Sequence, residues 1–192
     1  MRLISAFALV AALATAYACG GSPTGPSGAG GTLTLMLKDS PFSDAKSLLV
    51  TFSEVSAHVA GQADTGWTRL PFADGATSRT CDLKKLQTTQ DVLGTGPLAA
   101  GHYTMVRVTV SSAALYFDNA AAGNACAASI VAPAGRSAAV EISSGEVKLN
   151  REFDIASTAT TILVDFDGDK SVHASGNGRF MMSPVIGVVS VQ

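Results

Sequence analysis

No catalytic signature interrupts this chain of 192 residues. It has no GxSxG turn to expose a serine nucleophile, no HExxH pair for zinc and no glycine loop of the kind that cradles phosphate. His58, His102 and His173 lie far apart, with no HxH or HxxxH spacing, and read as polar strand or surface residues rather than ligands. Serine, aspartate and histidine are all present, yet no local context activates a nucleophile. A non-catalytic protein is therefore expected, and the catalytic alternative is a hydrolase assembled from dispersed residues. Charge is sparse at 15% of residues, with 13 basic against 15 acidic. No basic face forms on such a chain, so nucleic acid is not expected as a partner. Aromatic residues make up 6%, with a single tryptophan, Trp67. A lone Trp reads first as core and second as a stacking platform for a sugar ring. Past the N-terminus no apolar run approaches the roughly 20 residues needed to cross a bilayer as a helix.

The N-terminus itself is informative. Arg2 gives a short positive start, Leu3 to Ala18 is almost unbroken apolar or small, and Ala16-Tyr17-Ala18 places small-x-small spacing directly before Cys19. That describes an export signal over residues 1–19, because the apolar run is short for a membrane span. The site resembles the lipobox of bacterial lipoproteins, in which the cysteine after the cut carries lipid. Ala16 and Tyr17 stand where that family usually has Leu and then Ala or Ser. The resemblance implies lipid attachment at Cys19; ordinary cleavage after Ala18, giving a soluble periplasmic or secreted protein, is the alternative. Residues 20–30 are Gly, Ser, Pro, Thr and Ala, the composition of a flexible tether. Gly20 in place of Asp after the cysteine, by the same resemblance, implies the outer rather than the inner membrane if the cell is Gram-negative, and otherwise the cell surface.

Removing a leader that contains Arg2 and no acid leaves 12 basic and 15 acidic residues, a net charge of −3. Residues 31–192 are enough for one domain with a real core. With Cys19 set aside, Cys81 and Cys126 form an even pair in an oxidising compartment, and a disulfide is the default reading. No CxxC spacing supports a redox or metal-binding pair.

Alternation with period two recurs along the domain. Leu33, Leu35 and Leu37 share a face, as do Val106, Val108 and Val110, then Val147, Leu149, Phe153 and Ile155, then Ile162, Val164 and Phe166. Val185 to Val191 closes the chain as an apolar, β-branched run. Turn residues separate these segments, among them Asp74-Gly75, Gly123-Asn124 and Asp167-Gly168. Leu48, Phe52, Val55 and Val59 suit an amphipathic helix by spacing, but the β-branched content of Leu48 to Val59 favours a long bent strand with a bulge near Ser53-Glu54. About eight or more strands with little helix predict an all-β fold, an antiparallel β-sandwich of immunoglobulin-like or transthyretin-like type in one domain.

Several phrases also carry a family resemblance: Gly31-Thr-Leu-Thr-Leu-Met-Leu-Lys-Asp39 with Ser40-Pro41-Phe42, then Val50-Thr-Phe-Ser-Glu-Val55 and Gly66-Trp67. Leu98-Ala-Ala-Gly101-His-Tyr103 follows, then Asp165-Phe-Asp-Gly-Asp-Lys-Ser171, and Met182-Ser-Pro-Val-Ile186. In this order they resemble the bacterial domain-of-unknown-function family 4382, whose members are mostly predicted surface lipoproteins. The resemblance implies a β-sandwich on a lipid tether and brings no catalytic residues with it.

Two local sites remain. Asp165, Asp167 and Asp169 with Ser171 offer oxygens at alternate positions, as a hard cation such as Ca²⁺ requires. Lys170 stands where a calcium loop of the helix-loop-helix kind has Gly, and Gly176 where it has a bidentate Glu. Calcium would therefore need further ligands, with Asp39, Asp44 and Asp118 as candidates; the competing reading is a polar turn at a strand end. Tyr103 reads as a structural corner whose hydroxyl bonds back to the backbone. The expectation is thus a lipid-tethered binding or display module of the bacterial envelope, meeting an envelope protein or polysaccharide. A calcium-dependent binding module is the alternative.

Overall fold

A computed structural model describes residues 29–40 and 45–192. The leader, Cys19, most of the tether and Asp44 lie outside the described residues. Thirteen strands form among the described residues, the segments read as strands from the sequence among them: β1 (Gly31–Ser40), β2 (Ser47–Val59), β3 (Trp67–Arg69), β4 (Arg79–Asp82), β5 (Asp91–Leu98), β6 (Gly101–Tyr116) and β7 (Cys126–Ala127). They continue as β8 (Ser137–Ile142), β9 (Glu146–Ile155), β10 (Thr160–Asp167), β11 (Val172–Gly176), β12 (Arg179–Met182) and β13 (Ile186–Val191). Two single-turn helices, α1 (Leu83–Leu86) and α2 (Gly168–Ser171), follow β4 and β10.

The strands make two sheets. One has the order β13-β10-β1-β5; the other runs β11-β12-β8-β6-β2-β4-β7, with β9 also on β6 and β3 also on β2. β6 is long enough to pair with β9 along its first half and with β8 along its second. The alternating residues face the space between the sheets: Leu33, Leu35, Leu37, Ile162, Val164 and Phe166 from the first, Phe52, Val55, Val106 and Val108 from the second, all buried. Phe52 and Phe166 meet edge to face at 6.4 Å, joining the two layers. Aromatic pairs in this arrangement add about 1 kcal/mol beyond their buried area.

The segment with two readings is a strand. β2 pairs with β6 from Ser47 to Val59, and its register shifts on both sides of Phe52, before Glu54. This bulge absorbs the change of phase, so Phe52 and Val55 both face inward. The sandwich differs from a purely antiparallel one. β1 pairs with β10 in parallel from Leu33–Thr160 to Ser40–Asp167, and β12 pairs with β8 in parallel. Both sheets are mixed because strands distant in sequence, such as β1 and β10, meet in the same direction.

Candidate functional site

The acidic segment at the end of β10 is bound up in local structure. Asp167 caps α2: its carboxylate accepts from the Lys170 backbone N–H at 3.0 Å and pairs with the Lys170 ammonium at 2.7 Å. Those bonds to Lys170 hold the Asp167 carboxyl below its usual range. Asp165 accepts from the Ser40 hydroxyl at 2.7 Å and lies 3.5 Å from Lys38 Nζ. The Ser171 hydroxyl donates to the Asp167 carbonyl and accepts from the Val185 N–H. Asp169 is exposed on α2. Asp118 sits in a different loop and is gripped by Arg136 through its backbone N–H at 2.7 Å and its guanidinium at 2.9 Å. Among the described residues no group of three or more His, Cys, Asp or Glu side chains is placed to hold a metal ion.

Asp39 is a different case. It continues the inward phase of Leu33, Leu35 and Leu37, so the last side chain of the series is a carboxylate, 4% exposed. Neither of its oxygens completes a hydrogen bond. Burial pushes its pKa from 3.8 to about 8, and the nearby Asp165 charge adds to the rise. The Gln87 amide, the Gly168 N–H and the Lys84 charge pull the other way and are outweighed. Burial thus favours the neutral acid over the carboxylate at the end of the core.

On the outer face of the larger sheet, Trp67 is neither core nor a bare platform. It is half-buried, with the Arg107 guanidinium 4.3 Å from its ring centroid and the His58 ring at 4.8 Å. Arg107 in turn pairs with Glu54 at 2.6 Å and Glu146 at 3.6 Å. The stack covers His58, whose Nε2 lies 3.0 Å from the Ala63 carbonyl. His102 pairs with Asp154 at 2.8 Å, and His173 is exposed. No two of the three histidines share a site.

Tyr103 is the corner expected of it. Its hydroxyl donates to the Ala99 carbonyl at 3.0 Å, and its ring stacks on Phe153 at 5.4 Å. Tyr103→Phe is expected to lower the unfolding free energy by about 1 kcal/mol, the net worth of one such bond, measured by urea denaturation. An unchanged midpoint would show that the hydroxyl contributes nothing.

Cys81 and Cys126 are opposite residues of β4 and β7 and form a disulfide. Around it, buried Arg79 pairs with Asp74 at 2.8 Å and Asp91 at 3.1 Å, and Asp91 also accepts from the Cys126 N–H. The cross-link thus ties together β4, β5 and the long connection between β6 and β8.

A further feature lies on β9. Between the pairs Tyr103–Phe153 and Met105–Asn150, β9 carries Arg151 and Glu152 opposite Thr104 alone. Strict alternation would turn Arg151 into the core with Leu149 and Phe153; the extra residue lets it stay exposed. Asn150 and Arg151 stand on a ridge between two shallow grooves. One is lined by Thr104, Met105 and Glu152, the other by Lys148, Leu149, Ile186 and Val188.

A family model described as domain of unknown function (DUF4382) matches residues 30–184. No curated protein and no solved structure matches the chain.

Proposed function

Because the chain belongs to the DUF4382 family, a domain of unknown function, we propose for it the role that its own residues support: a non-catalytic β-sandwich, exported and anchored at the envelope through Cys19, acting as a binding or display module. The observation that carries this reading is the buried Cys81–Cys126 disulfide. Such bonds persist in oxidising compartments outside the cytoplasm, where the export signal at residues 1–19 would deliver the chain. Several acyl chains on one cysteine would hold it stably, where a single chain binds marginally. The glycine- and proline-containing tether then gives the domain reach from the membrane.

The test is fractionation of cells making the wild type or Cys19→Ser, fed a clickable fatty acid. The wild type is expected in the membrane fraction with the label attached. Cys19→Ser is expected to lose the label and leave the membrane. Label that persists in the variant, or a cytoplasmic location for both, would contradict the anchor.

A further inference from the structure

The two edges of the smaller sheet are treated differently. On the β5 side, Phe72 bridges to Gly94 and the Thr95 N–H bonds to the Pro71 carbonyl at 2.9 Å, so that edge is covered. On the other side β13 pairs with β10 alone, and among the described residues no strand takes its outer edge. Edge strands are usually blunted by charge or proline. β13 reads Ile-Gly-Val-Val-Ser-Val, with neither, and Val189 is 51% exposed. Among the described residues no backbone hydrogen bond joins β13 to β9 across the corner of the sandwich. The groove between them is lined by Lys148, Leu149, Asn150, Arg151, Ile186 and Val188, a set with two cations and no acid. Lys148 is shared with Glu146 at 3.4 Å and lies 6.0 Å from the Trp67 ring centroid, whereas no carboxylate pairs with Arg151 among the described residues, so Arg151 is the principal cation of the groove.

We propose that the open edge of β13 receives an extended, acidic segment of a partner protein by strand addition, its carboxylates meeting Arg151 and Lys148 of β9. This rests on the reading of the chain as a binding module and names the class of its partner. An added strand supplies the missing ladder through its backbone, and its side chains alternate between two faces. Those turned toward β9 meet the two cations and call for Asp or Glu. Those turned outward lie beside Val189 and call for apolar residues. A second copy of this chain fits the edge poorly, because β13 has no acidic residue to bring to Arg151 and Lys148.

The test uses the full mature protein in detergent and fluorescein-labelled peptides of about ten residues, a strand's length, followed by fluorescence anisotropy. The probes alternate Val with Glu, alternate Val with Lys, or hold the Val/Glu composition with prolines interrupting the strand. The Val/Glu peptide is expected to bind saturably, with binding that weakens as salt rises. The lysine and proline peptides are expected to bind at least about tenfold more weakly, as are Arg151→Glu and Lys148→Glu proteins, a difference of about 1.4 kcal/mol. Arg179→Glu, which changes an exposed cation on β12, is expected to leave binding unchanged. Absence of Val/Glu binding, equal binding of the proline peptide, or insensitivity to Arg151→Glu in a protein that melts normally would each overturn the proposal. So would a dimer in ultracentrifugation that excludes the peptide. Failure here in a protein still labelled at Cys19 would sink the edge site and leave the anchored module standing.

Discussion

Asp39→Asn is expected to make the domain more stable at pH 8 and to flatten its loss of stability between pH 4 and pH 8. The Asp39 carboxyl has a pKa of about 8 in the fold, against 3.8 when exposed. Between those values the folded chain binds a proton that the unfolded chain releases, so unfolding becomes easier as pH rises. The stabilising effect of the bound proton is complete below about pH 4 and is gone above about pH 8. Its full size is on the order of 6 kcal/mol, from about 1.4 kcal/mol per pKa unit. Asparagine is nearly isosteric with the neutral acid and has no proton to lose. Urea denaturation of both proteins across this range checks the expectation. A wild type whose stability is level from pH 4 to pH 8, or an Asn variant less stable at pH 8, would show that Asp39 is ionised and satisfied in the fold.

Removing the disulfide is the second large effect. Cys81→Ala with Cys126→Ala opens a loop with a sequence separation of 45, worth roughly 4 kcal/mol in the chain-entropy model. For a domain of this size that corresponds to a fall in melting temperature of roughly 10 °C. The loss is expected to concentrate where the cross-link acts. Asp91 bonds the Cys126 N–H and pairs with Arg79 on β4, so amide exchange should rise in β4, β7 and the connection after β6. Reduction of the wild type should reproduce the shift. A change under about 1 kcal/mol would mean that the Arg79 ion pairs and the β4–β7 contact already restrain the loop.

Much of the scaffold could be read in advance because alternation reports burial directly. Leu33, Leu35 and Leu37, or Ile162, Val164 and Phe166, declare a strand and its inner face wherever they occur. The bulge in β2 was equally open to view, since Phe52 and Val55 share a face only if a residue is inserted between their phases. Partner and direction are another matter. Nothing in Gly31–Ser40 indicates that it lies parallel to a strand more than a hundred residues away, because alternation is the same for either direction.

The acidic loop shows how local bonding changes the meaning of a motif. Asp167 next to Gly168 begins a helical turn, and a carboxylate three residues before Lys170 is well placed to cap it and to pair with it. Asp165 is drawn to Lys38 and Ser40 by the register between β1 and β10, which spacing along one strand does not disclose. Asp39 was closer to being visible. It is the next step in the Leu33, Leu35, Leu37 series, and the phase alone places it inside. Arg151 is the converse: its phase says core, its charge says surface, and the conflict between them was the available sign of a bulge. Trp67 offered no such sign, because its contacts come from Arg107 and His58 on two other strands.

The most direct test of the anchored, extracytoplasmic reading is the intact mass of the protein recovered from native membranes, measured before and after reduction. The expected chain begins at Cys19, carries the added mass of acyl groups there, and gains two hydrogens when the Cys81–Cys126 bond is reduced. A chain that begins at Met1, bears no acyl mass and does not change on reduction would place the protein in a reducing compartment and contradict the proposed function at its base.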